Sequence, residues 1–350
     1  MNRKQRRAQG RSGPQARTTS NPPAPTSHWF YAALAHQRAG RAADAERICR
    51  RILSIDPGHP QTLHLLGLIE HQRGRCDDAI ELIRSAIARN SRDPAYHHNL
   101  GNMFKARDRP AEAMACYERA LALSPGSVDT LYNLGETCQE LGQPELAIGY
   151  FERALRLRPD AIELHNSLGS ALQDLGRLDD AIASYRKALA LWPDVVETLA
   201  NLAGALREQG RLAEAQACYE RALALQPDRV ESHVGLGVVL RDQARLEEAV
   251  ACYEWALARA PDHPEAHNNL GVALVDLGRS EEAIRHHQRA LALQPGRAEL
   301  HYNLGGALQR QGRCGEALVC YERALALRPG YAQAHLNRAL ALLRTAQLDE

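Results

Sequence analysis

Residues 128–161 read VDTLYNLGETCQELGQPELAIGYFERALRLRPDA, and the next 34, residues 162–195, read IELHNSLGSALQDLGRLDDAIASYRKALALWPDV. Laid one on the other, they share Gly135 with Gly169, Gly142 with Gly176, Ala147 with Ala181, Phe151 with Tyr185, Ala154 with Ala188 and Pro159 with Pro193. The same step runs outward in both directions. Pro125, Pro159, Pro193, Pro227, Pro261, Pro295 and Pro329 lie 34 residues apart, and Pro57 precedes Pro125 by two steps with Ser91 in the vacant place. Counting Thr26 as position 1, nine complete units fill residues 26–331 and a tenth begins at 332. A strict period of this length is the signature of a repeat architecture, in which each unit buries its apolar face only by stacking on its neighbours.

The columns of the repeat predict its local structure. Positions 4, 7, 8 and 11 fall on one face of a first helix, A, and positions 20, 24, 27 and 28 on one face of a second, B. Alanine holds position 20 in all nine complete units, from Ala45 to Ala317, and position 8 is glycine or alanine throughout. Small residues there let the two helices approach, and the aromatic at position 24, such as Tyr117, Phe151 and Tyr185, fills the space beside them. Glycine at position 15 suits the left-handed residue that ends helix A. Proline at position 32 stops helix B. Acids at the start of helix B, such as Asp179 and Asp180 or Glu247 and Glu248, complement its dipole. The prediction is an all-α solenoid of antiparallel helical hairpins.

The set at positions 8, 20, 24, 27 and 32, as in Gly135, Ala147, Phe151, Ala154 and Pro159, resembles the tetratricopeptide repeat (TPR) family over residues 26–350. The resemblance implies an α-α superhelix whose inner groove is lined by positions 2, 5, 6, 9, 12 and 13 of the A helices. It implies a partner protein or peptide segment held in that groove. Position 6 holds Asn99, Asn133, Asn201, Asn269, Asn303 and Asn337, with breaks at Ser167 and Gly235; position 2 adds Glu163, Glu197, Glu231, Glu265 and Glu299. An asparagine amide offers donors and an acceptor together and so matches a peptide unit of an extended chain. The acids favour basic or hydroxyl-rich segments. These eleven residues are the candidate binding site. The carboxylate clamp of TPR co-chaperones is not reproduced: its nearest match, His98, Asn102 and Asn133, is followed by Glu163 where a cation is needed.

The long asparagine column is also similar to the repeat region of protein O-GlcNAc transferases and SPINDLY-type bacterial proteins. That resemblance implies an alternative, the substrate-recruiting arm of a glycosyltransferase whose catalytic domain lies outside this chain. The sequence stops at repeat position 19 of the tenth unit, which leaves a last helix A without its helix B. Two expectations follow: a longer parent polypeptide, or self-association through the uncovered C-terminal face.

Other chemistry is not called for. Four of the eight cysteines (Cys116, Cys218, Cys252 and Cys320) repeat at position 23, and six of the fifteen histidines repeat at position 4, which reads as packing and not as a metal site. No cofactor and no catalytic residue is expected. Six basic residues and no acid fall within residues 1–25, a stretch rich in Pro, Gly, Ser and Thr that reads as a disordered tail. The remaining 37 basic and 42 acidic residues leave the repeats at net −5, so they are not a nucleic-acid surface. The absence of a long apolar run or a signal peptide predicts a cytoplasmic protein with no membrane span.

Overall fold

The computed structural model describes residues 25–346, which form nineteen α-helices and, among these residues, no strand. The stretch read as a disordered tail lies, up to residue 24, outside the described residues, as do residues 347–350. The chain divides after Pro125 into two units. The first holds α1 (Pro25–Arg38), α2 (Ala42–Ile55), α3 (Pro60–Gln72), α4 (Cys76–Arg89), α5 (Pro94–Lys105) and α6 (Pro110–Leu123). The second opens with α7 (Val128–Glu140), α8 (Pro144–Leu157), α9 (Ile162–Asp174), α10 (Leu178–Leu191), α11 (Val196–Glu208) and α12 (Leu212–Leu225). It continues with α13 (Val230–Asp242), α14 (Leu246–Arg259), α15 (Pro264–Asp276), α16 (Ser280–Leu293), α17 (Ala298–Arg310), α18 (Cys314–Leu327) and α19 (Ala332–Ala346). Odd-numbered helices are the A helices and even-numbered ones the B helices, as the period predicts.

The hairpin seam shows why the columns are small. Every alanine at position 20 is fully buried, and Tyr117, Phe151, Tyr185, Tyr253 and Tyr321 are buried beside them. The ring at position 24 lies so close to helix A that a Cβ on Gly169 would stand 2.5 Å from Cε1 of Tyr185. At position 15 the backbone is left-handed in every complete unit: seven glycines have φ between 69° and 79°, and Asp108 (55°) and Ala244 (62°) adopt the same conformation. The turn geometry therefore persists where glycine does not. At the start of six B helices an arginine at position 16 forks onto the acid at position 19, as in Arg177–Asp180 and Arg313–Glu316, an exposed pairing that adds little stability but suits the helix N-terminus.

The histidines at position 4 have a specific task. Nε2 of His97, His165, His233, His267, His301 and His335 donates to the carbonyl at position 32 of the preceding repeat, at 2.8–3.1 Å. That carbonyl lies just past the end of helix B, beyond reach of the helix's own N–H groups, so the imidazole satisfies it and ties one hairpin to the next. Packing was legible in the sequence; this bond was not. The first unit has its own departure. Glu70 occupies an apolar column, is 4% exposed, and is held by Arg75 and, at 3.8 Å, by Arg50.

Within each unit every helix B packs on the next helix A, and successive A helices also touch, whereas successive B helices do not to any comparable degree. Each stack therefore curves with its A helices on the inner side. At the end of the second unit, α19 exposes Leu336 and Leu343, 61% and 63% accessible.

Candidate functional site

The inner A-helix face of each unit carries two rows of lateral hydrogen bonds. In the first row, position 6 meets position 5 of the preceding repeat. Nδ2 of Asn99 donates to Nε2 of His64 (2.8 Å), Asn201 to Oδ1 of Asn166 (3.1 Å), Asn303 to Oδ1 of Asn268 (2.9 Å) and Asn337 to the hydroxyl of Tyr302 (3.1 Å). Asn269 makes no such bond, because the residue it faces is Val234. In the second row, position 12 meets the acid at position 13 of the next repeat: Gln139 with Asp174 (3.0 Å), Gln173 with Glu208 (2.6 Å) and Arg207 with Asp242 (3.2 Å). Each of these bonds spans 35 residues, one more than the period. Positions 5 and 12 were expected to line the groove, but their residues were not among the eleven candidates; a search for polar pairs one residue beyond the repeat length would have found them.

These bonds alter what the asparagine column offers. An asparagine has two N–H donors and a carbonyl acceptor. The lateral bond takes one donor and restrains the amide; in Asn99, Asn201 and Asn303 it leaves one N–H and the oxygen for other partners. His64 accepts because burial holds its imidazole neutral, with a pKa lowered to about 4. Asn133 lines a cavity of about 320 Å³ with Tyr132 and Arg158.

The acid column at position 2 is exposed and largely paired. Glu163 lies 3.9 Å from Arg158, Glu231 3.7 Å from Arg229, and Glu265 and Glu299 lie 3.8 and 3.7 Å from Arg297. Glu197 is without an ion-pair partner among the described residues; with Glu136 and Glu163 it lines a cavity of about 530 Å³ against α7, α9 and α11, walled by Asn166 and Asn201. A second cavity, of about 350 Å³, opens against α15, α17 and α19, and Arg310, Arg344 and His287 line it. Neither Arg310 nor Arg344 has a carboxylate partner among the described residues. The groove of the second unit thus changes chemical character along its length.

Among the described residues no group of three His, Cys, Asp or Glu side chains converges on a metal position. His267 and His286 meet through their Nδ1 atoms at 3.0 Å. Since Nε2 of His267 donates to Pro261, its Nδ1 accepts and His286 donates. The cysteines are free, and burial pushes the thiols of Cys49 and Cys116 up to about 12 and about 11, away from nucleophilic ionisation. No described helix is long and apolar enough to cross a membrane.

Antiparallel hairpins stacked with their A helices inward define a helical-repeat solenoid. Models of the tetratricopeptide repeat match residues 93–160, 160–228, 194–262, 228–296 and 262–330, and another of the same description matches 37–101. The chain belongs to the tetratricopeptide repeat family. Sequence comparison with curated proteins finds no match. Among solved structures, the APC/C hetero-tetramer Cut9–Hcn1 is similar over 91% of this chain and 64% of its own, at 16% identity and a TM-score of 0.61. PilF of Pseudomonas aeruginosa is similar over 59% of this chain and 94% of its own, at 20% identity and a TM-score of 0.52. The C-terminal part of a TPR repeat-containing protein from Cytophaga hutchinsonii is similar over 69% and 99%, at 18% identity and a TM-score of 0.56. At these identities the likeness concerns the fold.

Proposed function

We propose that this chain is a protein-interaction scaffold that holds an extended partner segment along the inner A-helix face of the second unit. The observation that carries this reading is the lateral ladder of Asn201, Asn303 and Asn337, each tied to the preceding repeat through one N–H. The tie orients each amide before any partner arrives, which lowers the ordering cost of binding, and in Asn201 and Asn303 it leaves a donor and an acceptor for the N–H and C=O of a passing peptide unit. Main-chain pairing of this kind grips an extended segment with little regard to its sequence, and the cavities between successive A helices then select side chains. The acids at position 2, all but Glu197 near arginines, act as rim charges and tune the approach of a partner more than the grip.

Asn269 gives the cleanest test, because its amide takes no part in the ladder. Random-sequence twelve-residue peptides anchored to beads are selected on the wild-type protein, and the affinities of the selected peptides are measured on Asn269→Ala. Loss of a donor–acceptor pair to a peptide backbone should weaken binding about fivefold to tenfold with unchanged helicity. Selected peptides that bind the variant as tightly as the wild type would place the partner on another surface.

A further inference from the structure

The cavity against α15, α17 and α19 departs from the repeat in a way that points to a ligand. Position 24 is tyrosine in the neighbouring repeats, and the hydroxyls of Tyr185 and Tyr321 donate to the glutamines at position 12, Gln173 and Gln309, at 3.2 and 2.7 Å. In the repeat from residue 264 the corresponding pair is His287 and Val275. The imidazole is 1% exposed, its Nδ1 finds no hydrogen-bond partner, and the ring forms part of the cavity wall. Two valines, Val272 and Val275, make an apolar floor, and Gly306 leaves the middle open. Arg310 and Arg344 complete the wall. The nearby acids Glu265 and Glu299 are occupied with Arg297, at 3.8 and 3.7 Å, and neither lines the cavity. The result is a pocket with two guanidinium groups that have no carboxylate partner among the described residues, Arg310 donating to the Val275 carbonyl at 3.3 Å. With them stand a buried imidazole whose Nδ1 is unpartnered and two valines at the base. The pocket combines apolar surface with a few convergent polar groups, the mixed composition of a built side-chain site.

We propose that this pocket is the subsite for a side-chain carboxylate on the partner segment, with the aliphatic stem of a glutamate over Val272 and Val275 and its carboxylate between Arg310 and Arg344. Planar guanidinium groups match a carboxylate edge and hold it with charge-assisted hydrogen bonds. Asn303, which also lines the pocket, keeps one N–H and its oxygen for the main chain beside that glutamate, while the amide of Asn337 is engaged with Tyr302 and Tyr321. The subsite is local. In the same unit the cavity walled by Glu136, Glu163 and Glu197 holds no arginine or lysine and repels a carboxylate. The segment therefore binds in one direction, its acidic residue at the α15–α19 end. This inference rests on the groove reading above and adds the chemistry of the partner.

The test uses the full chain and the bead-bound library, whose peptides carry no free terminal carboxylate because they are anchored through their C-termini. Selection on the wild type should enrich Asp and Glu, and a selected peptide should lose about tenfold in affinity when its acid becomes Lys. Arg310→Glu with Arg344→Glu should invert that preference. His287→Tyr, which restores the residue of the neighbouring repeats and fills the pocket, should weaken the acidic peptide and leave its Lys analogue unchanged. Helicity measured on each variant confirms folding. Equal affinity for Glu and Lys peptides, combined with weaker binding of both to Asn269→Ala, would overturn the subsite and leave the groove reading standing. A preference for Glu that survives the double arginine reversal would overturn it too. A neutral peptide with a free C-terminus, measured in parallel, separates the two sources of carboxylate: a tenfold gain from the terminus and none from an internal Glu would overturn the side-chain assignment. Failure to select any peptide would count against both readings.

Discussion

A Cβ built on Gly235 would stand 2.4 Å from Cζ of Tyr219, the aromatic of the preceding repeat. Elsewhere the aromatic at position 24 leans on position 8 of its own repeat: Tyr117 on Gly101, Tyr185 on Gly169, Tyr253 on Gly237. In the repeat from residue 196, position 8 is Ala203, fully buried, and its methyl group occupies that space. The Tyr219 ring tips into the next repeat instead, and position 6 there must be glycine. The break in the asparagine column at Gly235 is thus packing compensation for one methyl group two helices away. Gly235→Asn should destabilise the protein by about 1–3 kcal/mol through overpacking. In an Ala203→Gly background the loss should shrink, by a coupling of about 0.5–3 kcal/mol. Denaturant unfolding of the four proteins checks this; identical losses in the two backgrounds would break the link.

Gly169→Leu probes the seam where no such compensation exists. Its Cβ would meet Cε1 of Tyr185 at 2.5 Å, and the ring is buried with no room to withdraw. A destabilisation of about 1–3 kcal/mol or more is expected. A variant that melts with the wild type would contradict the hairpin register.

Asparagines of one column should behave differently. Asn303→Ala removes a 2.9 Å bond to Asn268, whose buried side chain then loses its donor, and should cost about 0.5–1.5 kcal/mol. Asn269→Ala removes no such bond and should stay within about 0.5 kcal/mol of the wild type. Equal losses would mean that the lateral ladder does not contribute to stability.

Ala244 holds the left-handed backbone, at φ 62°, that seven other repeats assign to glycine. An L-residue pays about 1–2 kcal/mol there, and glycine pays part of that back as unfolded-chain entropy. Ala244→Gly should raise stability by about 0.5–1 kcal/mol, read as a higher denaturation midpoint; a lower midpoint would refute the strain.

His287 makes stability depend on pH. Burial lowers its pKa from 6.5 to about 4, so between those values the unfolded chain binds a proton that the folded chain does not. Stability is at its full value above about pH 6.5 and falls as the pH drops toward 4, by on the order of 3 kcal/mol over the window. His287→Tyr should lose less stability than the wild type between pH 7 and pH 5. Parallel curves for the two proteins would show that His287 does not carry the effect.

Much of the molecule was legible in one dimension. Local chemistry repeated every 34 residues determined the helices, their ends, the small seam residues and the buried aromatics, because each depends on side chains a few positions apart on one helix or its hairpin partner. It was the resemblance to the TPR family that assigned the asparagines to the inner A-helix row. Tertiary structure alone decided which of their hydrogen-bonding groups remain available. The lateral offset of neighbouring hairpins, 35 residues in every pair, decided which position each asparagine meets; given that offset, the residue found there makes Asn201 bond to Asn166 and leaves Asn269 facing Val234. Tertiary structure also decided that Arg310 and Arg344, both at repeat position 13, share one wall with His287, at position 24 on a third helix. A period records what each unit has in common; a pocket made by the units' differences appears only once stacking brings them side by side.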